Sequence, residues 1–138
     1  MDVKKLSLNF YQNLKKQNII KPIVLISGGE TTVNIRGNGK GGRNQEFALH
    51  FLKIMKARLP KQKYFLLSAG TDGRDGPTDA AGAIINDQTY KILKSNSINL
   101  EKELKNNNSY EVLKKLKSLV IINGTNTNVA DVQILYVF

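Results

Sequence analysis

The sequence has no cysteine and no tryptophan, a single histidine, three prolines, and eleven acidic residues against 21 basic ones. Without cysteine there is no disulfide framework, no thiolate zinc or iron–sulfur site and no cysteine nucleophile. The lone His50 excludes a multi-histidine metal centre within this chain. No apolar run approaches the roughly 18 residues that a membrane span requires. The opening segment, MDVKKLSLNF, lacks the apolar core of a signal peptide, so a cytoplasmic location is expected. No internal repeat and no Pro/Ser/Gly linker divides the chain.

What remains suits one globular domain. The chain has 138 residues, 41% of them apolar, enough to bury a core without a metal or disulfide staple. Its net charge of +10 raises nucleic acid or an anionic membrane as partners. The lysines, however, scatter along expected helices at 4, 5, 15, 16, 53, 56, 91, 94, 114, 115 and 117, as solvated faces do. No aromatic-and-basic stacking face and no reader motif accompanies them. Neither a nucleic acid nor a membrane is expected as partner.

Asp2 to Gln17 reads as a helix, with Val3, Leu6, Phe10 and Leu14 on one stripe. Ile23–Ile26, closed by Ser27-Gly28-Gly29, reads as a buried strand, and the alternating, β-branched 31–36 segment as a second. Arg43 to Leu59 is an amphipathic helix stopped by Pro60. Further strands are expected at 64–69, 119–122 and 132–137, with a short strand or packed turn at 80–85. Helices are expected at 87–94, with Asp87 as N-cap, at 100–105, and from a capping box at Asn108 to Lys117. The expected architecture is a single layered α/β domain, with a mixed sheet flanked by helices and covered on both faces. A hairpin would join strands 23–26 and 31–36. Residues 1–21 form an N-terminal helix preceding a domain at 22–138.

The chemistry-bearing residues concentrate in four turns that follow strand ends. In open α/β sheets ligands sit outside the carboxyl ends of strands. The glycine loop, Gly37 to Gly42, fits the letters G-x-G-x-x-G but fails the P-loop pattern, because Gly41 follows Lys40 where Ser or Thr is required. Its glycines let backbone N–H groups approach an anion, with Lys40 and Arg43 adding charge. The alternative is a flexible turn. Asp72, Asp75 and Asp79 cluster beside Thr71 and Thr78. Such carboxylates hold magnesium or take a proton from a hydroxyl. Alternatively they are turn and cap residues. His50 reads as a surface residue.

These segments, as long runs, resemble one family. SGGETTV at 27–33, GKGGRNQEFAL at 39–49 and DGPTDAAGA at 75–83 are similar to the C-terminal MOFRL domain of glycerate 2-kinases. Asn107, Ser109-Tyr110 and Thr127-Asn128-Val129 extend the likeness over about residues 20 to 138. The last loop departs from it. Where the family reads Thr-Gly-Pro-Thr-Gly-Thr-Asn, this chain has Ile122-Asn123-Gly124-Thr125-Asn126-Thr127-Asn128. Asn in place of Gly is tolerated where φ is positive, and Gly in place of Pro loosens the turn.

The resemblance implies ATP-dependent phosphorylation of D-glycerate to 2-phosphoglycerate, with Mg2+ or another divalent cation, in a cleft between two α/β domains. It also implies a large N-terminal domain, carrying a catalytic lysine, outside these 138 residues. The isolated chain is therefore expected to be inactive. On this reading Arg43, Asp72 and Asp79 are the catalytic candidates, and Asp72 and Asp75 the metal ligands. Ser27, Gly28, Gly29, Glu30, Gly39, Lys40, Gly41, Gly42, Asn44, Thr127 and Asn128 line the cleft for substrate and phosphate. The competing reading is a stand-alone anion- or nucleotide-binding module, or a split-gene subunit without kinase activity.

Overall fold

The computed structural model describes residues 1–17 and 22–138. The boundary expected at 21/22 falls at the edge of the segment outside the described residues. Helix α1 (Val3–Lys16) is capped by the Asp2 carboxylate, which accepts from the Lys4 amide. Strand β1 (Ile23–Gly29) leads through an irregular stretch to α2 (Arg43–Arg58). Strands β2 (Tyr64–Gly70) and β3 (Gly82–Asn86) follow. Then come three short helices, α3 (Thr89–Ser95), α4 (Leu100–Lys105) and α5 (Ser109–Lys115). The chain ends with β4 (Leu119–Val120) and β5 (Asp131–Val137).

The sheet has five strands in the order β1-β5-β2-β3-β4, and every pairing in it is antiparallel. The layered α/β domain is as expected, but the mixture of strand directions is not found. The reason lies at 31–36. This segment does not pair with β1; it makes a single bridge, Thr32 to Asp2. Its far end is instead drawn off by Asn107, whose side-chain oxygen accepts from the amides of Arg36 and Gly37. The strand that pairs with β1 comes from the chain's C-terminus, far beyond the reach of local patterning.

The register sorts side chains cleanly. Leu25, Leu135, Leu66 and Ile85 stand in one cross-strand row, and Tyr64, Val137 and Ile23 in the next. This face packs on α2, whose Phe47, Phe51, Leu52 and Met55 are buried. Helix α1 lies on the outer side of α2. Phe10 meets Phe47 and Phe51 edge-on, at centroid separations of 5.7 and 6.3 Å. The helix that the sequence sets ahead of the domain is thus a layer of its core. The opposite face of the sheet is open: Val24, Ile26, Phe65 and Ile84 are exposed. Among the described residues cover on both faces is therefore not observed, because apolar runs alone do not reveal which face has a partner within the chain.

Boundaries elsewhere shift for local reasons. Helix α3 starts at Thr89 and not Asp87, because the Asn86 side chain accepts from the Gln88 amide and turns the chain first. Asn108 precedes α5 but makes no cap bond, its oxygen being taken by the Lys40 amide.

Truncating Phe10 to Ala removes a buried ring from the α1–α2 contact and is expected to cost about 3–5 kcal/mol. Urea unfolding measures this. A loss under about 1 kcal/mol, the size of a surface change, would show that α1 is not part of the core.

Candidate functional site

Helix α2 begins at Arg43, and the first turn of any helix carries amides without intrahelical partners. Here a remote residue satisfies them. The Asp75 carboxylate accepts from the backbone amides of Asn44 and Gln45 at 3.0 and 2.9 Å, and from the Asn44 side chain at 3.3 Å. Gln45 reaches back to the Asp75 carbonyl and the Thr78 hydroxyl, while Ser68 donates to Asn44 at 2.7 Å. Gly42 lies against this carboxylate, where a Cβ would collide with it. Gly76 has φ +62° and backs onto the Gly41 carbonyl, so it too must be glycine. Burial pushes the Asp75 carboxyl up from its ordinary value, and the amide bonds oppose that shift.

This arrangement corrects the metal assignment. Both Asp75 oxygens are engaged by α2, so Asp75 is a helix cap and not a metal ligand. Asp72 uses one oxygen for the Arg74 amide, the Asx-turn alternative that its residue type allows. Among the described residues no group of three or more His, Asp or Glu side chains could hold an ion. Asp75 therefore has both oxygens occupied within the fold, whereas among the described residues Asp72 keeps one oxygen without a protein partner.

The glycine loop is also not a free anion cradle. Besides holding Arg36 and Gly37, the 106–108 turn takes the amide of Asn38 on the Asn106 side chain. It takes Gly39 on the Asn106 carbonyl and Lys40 on the Asn108 side chain. Asn107 is held in turn by donating to the Asn34 carbonyl and to buried Glu46. The amides of Gly39 and Lys40 thus serve the fold. The Lys40 ammonium lies over the Tyr110 ring, 4.4 Å from its centroid, and the Tyr110 hydroxyl donates to Asp79 at 2.7 Å. That bond and the Asp79 charge raise the Tyr110 pKa. Asp79 and Lys40 thereby meet on Tyr110. His50 is half-buried and 3.7 Å from the Glu46 carboxylate, not a freely solvated surface residue.

Arg43 is the candidate that the structure sets up for recognition. Its Nε and Nη2 donate to the two carboxylate oxygens of Asp131 at 2.6 and 2.9 Å. Asp131 is fully buried on its side chain, whereas Arg43 is about one-third exposed. A guanidinium has five N–H donors in a fixed fork. Asp131 occupies one edge and leaves the remaining donors to solvent, with Glu30 at 4.0 Å. The Asp131 bonds raise the Arg43 pKa, and a guanidinium carries its charge in any case.

Asp131 lies one residue before the strand expected at 132–137 and is the first residue of β5. It pairs with Gly29 on one side and Gly70 on the other, at the ends of β1 and β2. This is where Ser27, Gly28, Gly29 and Glu30 emerge. The 121–130 loop closes over the same end. The Thr71 hydroxyl donates to the Ala130 carbonyl and accepts from the Val129 amide, and Thr125 bonds the Thr71 carbonyl at 2.5 Å. Asn126 has φ +55°, so Asn stands where the backbone tolerates it in place of Gly. Thr127 and Asn128 lie exposed on this loop. The structure therefore gathers residues 27–30, Arg43, Asp72 and 127–128 at one sheet end, and sets Lys40 and Asp79 with Tyr110.

If Asp75 is a cap, Asp75→Ala leaves two buried amides unpaired and lowers stability by about 1–3 kcal/mol. Asp75→Asn recovers part of this, and added Mg2+ leaves the melting temperature of the wild-type chain unchanged. A Mg2+-induced rise that Asp75→Asn abolishes would return Asp75 to the metal-ligand role.

The MOFRL family model matches residues 23–131. A D-glycerate 2-kinase from Thermotoga maritima is 49% identical over 117 residues, covering 85% of this chain and 27% of that protein. A glycerate 2-kinase from Pyrococcus horikoshii is 47% identical over 117 residues, covering 84% and 26%. A glycerate kinase from Mus musculus is 40% identical over 118 residues, covering 83% and 23%. The crystal structure of a Thermotoga maritima glycerate kinase superposes with a TM-score of 0.89 at 41% identity, over 99% of this chain and 34% of the other. A Pyrococcus horikoshii protein gives 0.89 at 40% identity, over 99% and 32%. The chain spans about a quarter of the length of the curated relatives that it matches. With most of its length matched by the family model, and with an Arg-bearing helix start set against glycine-rich strand ends, this chain belongs to the MOFRL family.

Proposed function

We propose that the chain is the C-terminal domain of an ATP-dependent glycerate 2-kinase, and that it supplies one wall of a cleft in which D-glycerate becomes 2-phosphoglycerate. The observation that carries this reading is the Arg43–Asp131 pair. One edge of a permanently charged guanidinium is locked by a buried carboxylate, and the free edge faces solvent at the strand ends. Bidentate forks of this kind suit carboxylate and phosphoryl oxygens, and glycerate kinases from three organisms match most of the chain that builds it.

In the transfer, the C2 hydroxyl oxygen of glycerate attacks the γ-phosphorus of ATP. A bond forms from that oxygen to phosphorus, and the bond from phosphorus to the bridging oxygen of ADP breaks. Such transfer rests on positioning and on neutralising anionic oxygens. Arg43 holds the glycerate carboxylate or the transferring phosphoryl. Asp72, with one oxygen bonded to the Arg74 amide, keeps the other to accept the hydroxyl proton. The backbone at Ser27–Glu30 and the Thr127–Asn128 tip border the bound anion. No step is assigned to a divalent cation; of the acidic candidates Asp72, with one oxygen free, is the one that could contribute to holding it beside the ATP phosphates. The remaining wall, with the catalytic lysine that the family resemblance implies, comes from an N-terminal domain.

The test is a chimera in which these 138 residues replace the matching region of the Thermotoga maritima enzyme. The chimera is expected to form 2-phosphoglycerate from ATP and D-glycerate, and the isolated chain is not. Arg43→Lys, which keeps the charge but loses the fork, is expected to lower kcat/KM by about 100-fold or more. An inactive but folded chimera, or full activity in the Arg43→Lys variant, would contradict the proposal.

A further inference from the structure

The open face of the sheet is unlike a solvated one. Its cross-strand rows read Val24–Tyr136–Phe65–Asn86 and Ile26–Ile134–Leu67–Ile84, followed by Gly28–Val132–Ala69–Gly82–Val120. No charged side chain stands in any of them, in a chain where 23% of residues are charged. Ile26 is 71% exposed, Ile84 45% and Phe65 43%. At one end Phe138 stacks on Phe65 and Tyr136, with centroids 5.9 and 5.0 Å away, widening the apolar area. Antiparallel sheets that face water alternate apolar with polar residues, whereas this one is apolar on both sides, as in sheets covered on both faces. A contiguous apolar surface of this kind marks an interface.

We propose that this face is a docking surface for the polypeptide that supplies the remaining three-quarters of the relatives' length, which lays an uncharged apolar helical layer across it. The inference rests on the two-domain kinase reading above. Continuity argues for this occupant. The loops that leave the sheet at the Arg43 end carry exposed Ile121, Ile122 and Val129, the last 74% exposed, so the apolar surface runs from the middle of the sheet to the candidate site. A domain that completes the cleft covers those loops and extends over the face without a gap. A second copy of this chain is disfavoured by the +10 charge that each copy carries.

The experiment compares one set of substitutions in two settings. Ile26→Thr, Phe65→Thr and Ile84→Thr together keep strand propensity and remove apolar surface. In the isolated 138-residue chain these positions are partly exposed and only the Phe65–Phe138 stack and some buried area are lost, so the melting temperature is expected to fall by a degree or two. In the chimera with the Thermotoga maritima enzyme, the same substitutions are expected to lower it by several degrees. Equal shifts in the two settings would overturn the proposal. So would an isolated chain that sediments as a dimer and is dissociated by the substitutions, which would make a second copy the occupant. An inactive chimera that still shows the setting-dependent shift would leave the interface standing and defeat the kinase reading. An active chimera without the shift would do the reverse.

Discussion

The structure depends on the Asp75 carboxylate meeting the first amides of α2. Helix α2 is the centre of the core, with α1 on one side and β2 and β3 on the other. Its position along the sheet is set where Asn44 and Gln45 donate to Asp75. The contact requires a missing Cβ at Gly42 and a positive φ at Gly76, so residues 31 positions apart are matched in shape as well as in charge. Burying a carboxylate is costly unless its oxygens are bonded, and here the helix start supplies those bonds. The anion that a helix N-terminus attracts is therefore one of the protein's own. Arg43, one residue earlier, is left at the sheet end, where Asp131 takes hold of it.

Around this contact the loops are held largely by side-chain amides. Asn106, Asn107 and Asn108 occupy successive positions and satisfy five consecutive amides from Arg36 to Lys40. A glycine-rich loop that could move is thereby fixed against the turn before α5, and Asn107 carries the constraint on to Glu46 within α2. The 121–130 loop is tied to Thr71 by a second set of bonds. The candidate site thus stands on anchored loops and a rigid helix start, the support that a group needs if it is to bind an anion without first being ordered.

Most elements were legible because their signals are local. Helix α2 shows its apolar stripe and its Pro60 stop, and α4 falls on the short helical piece expected at 100–105. The failures share one physical cause: a distant partner outweighs a local preference. Residues 31–36 are β-branched and alternate, yet Asn107 claims the amides of Arg36 and Gly37. Asn108 looks like a helix cap, yet it serves Lys40. At the site Arg43 could be chosen from its place after a glycine loop, but Asp131 could not, because the two are 88 residues apart. Its one signal was an acidic residue bordering an apolar strand. For Asp72, Asp75 and Asp79 the sequence allowed both a metal reading and a cap reading. The pairing of Asp75 with α2 occupies both of its oxygens and favours the cap reading there, while Asp79 accepts from Tyr110 through one oxygen.

The central claim is that Asp131 positions Arg43 for the substrate anion, so the two side chains act as one unit. A double-mutant cycle with Arg43→Lys and Asp131→Asn, read as kcat/KM for D-glycerate in the chimera with the Thermotoga maritima enzyme, tests it most directly. Each single substitution is expected to lower kcat/KM strongly, and the double substitution to lower it little further than Arg43→Lys alone. Losses that simply multiply would show that Asp131 and Arg43 act independently and would contradict the account.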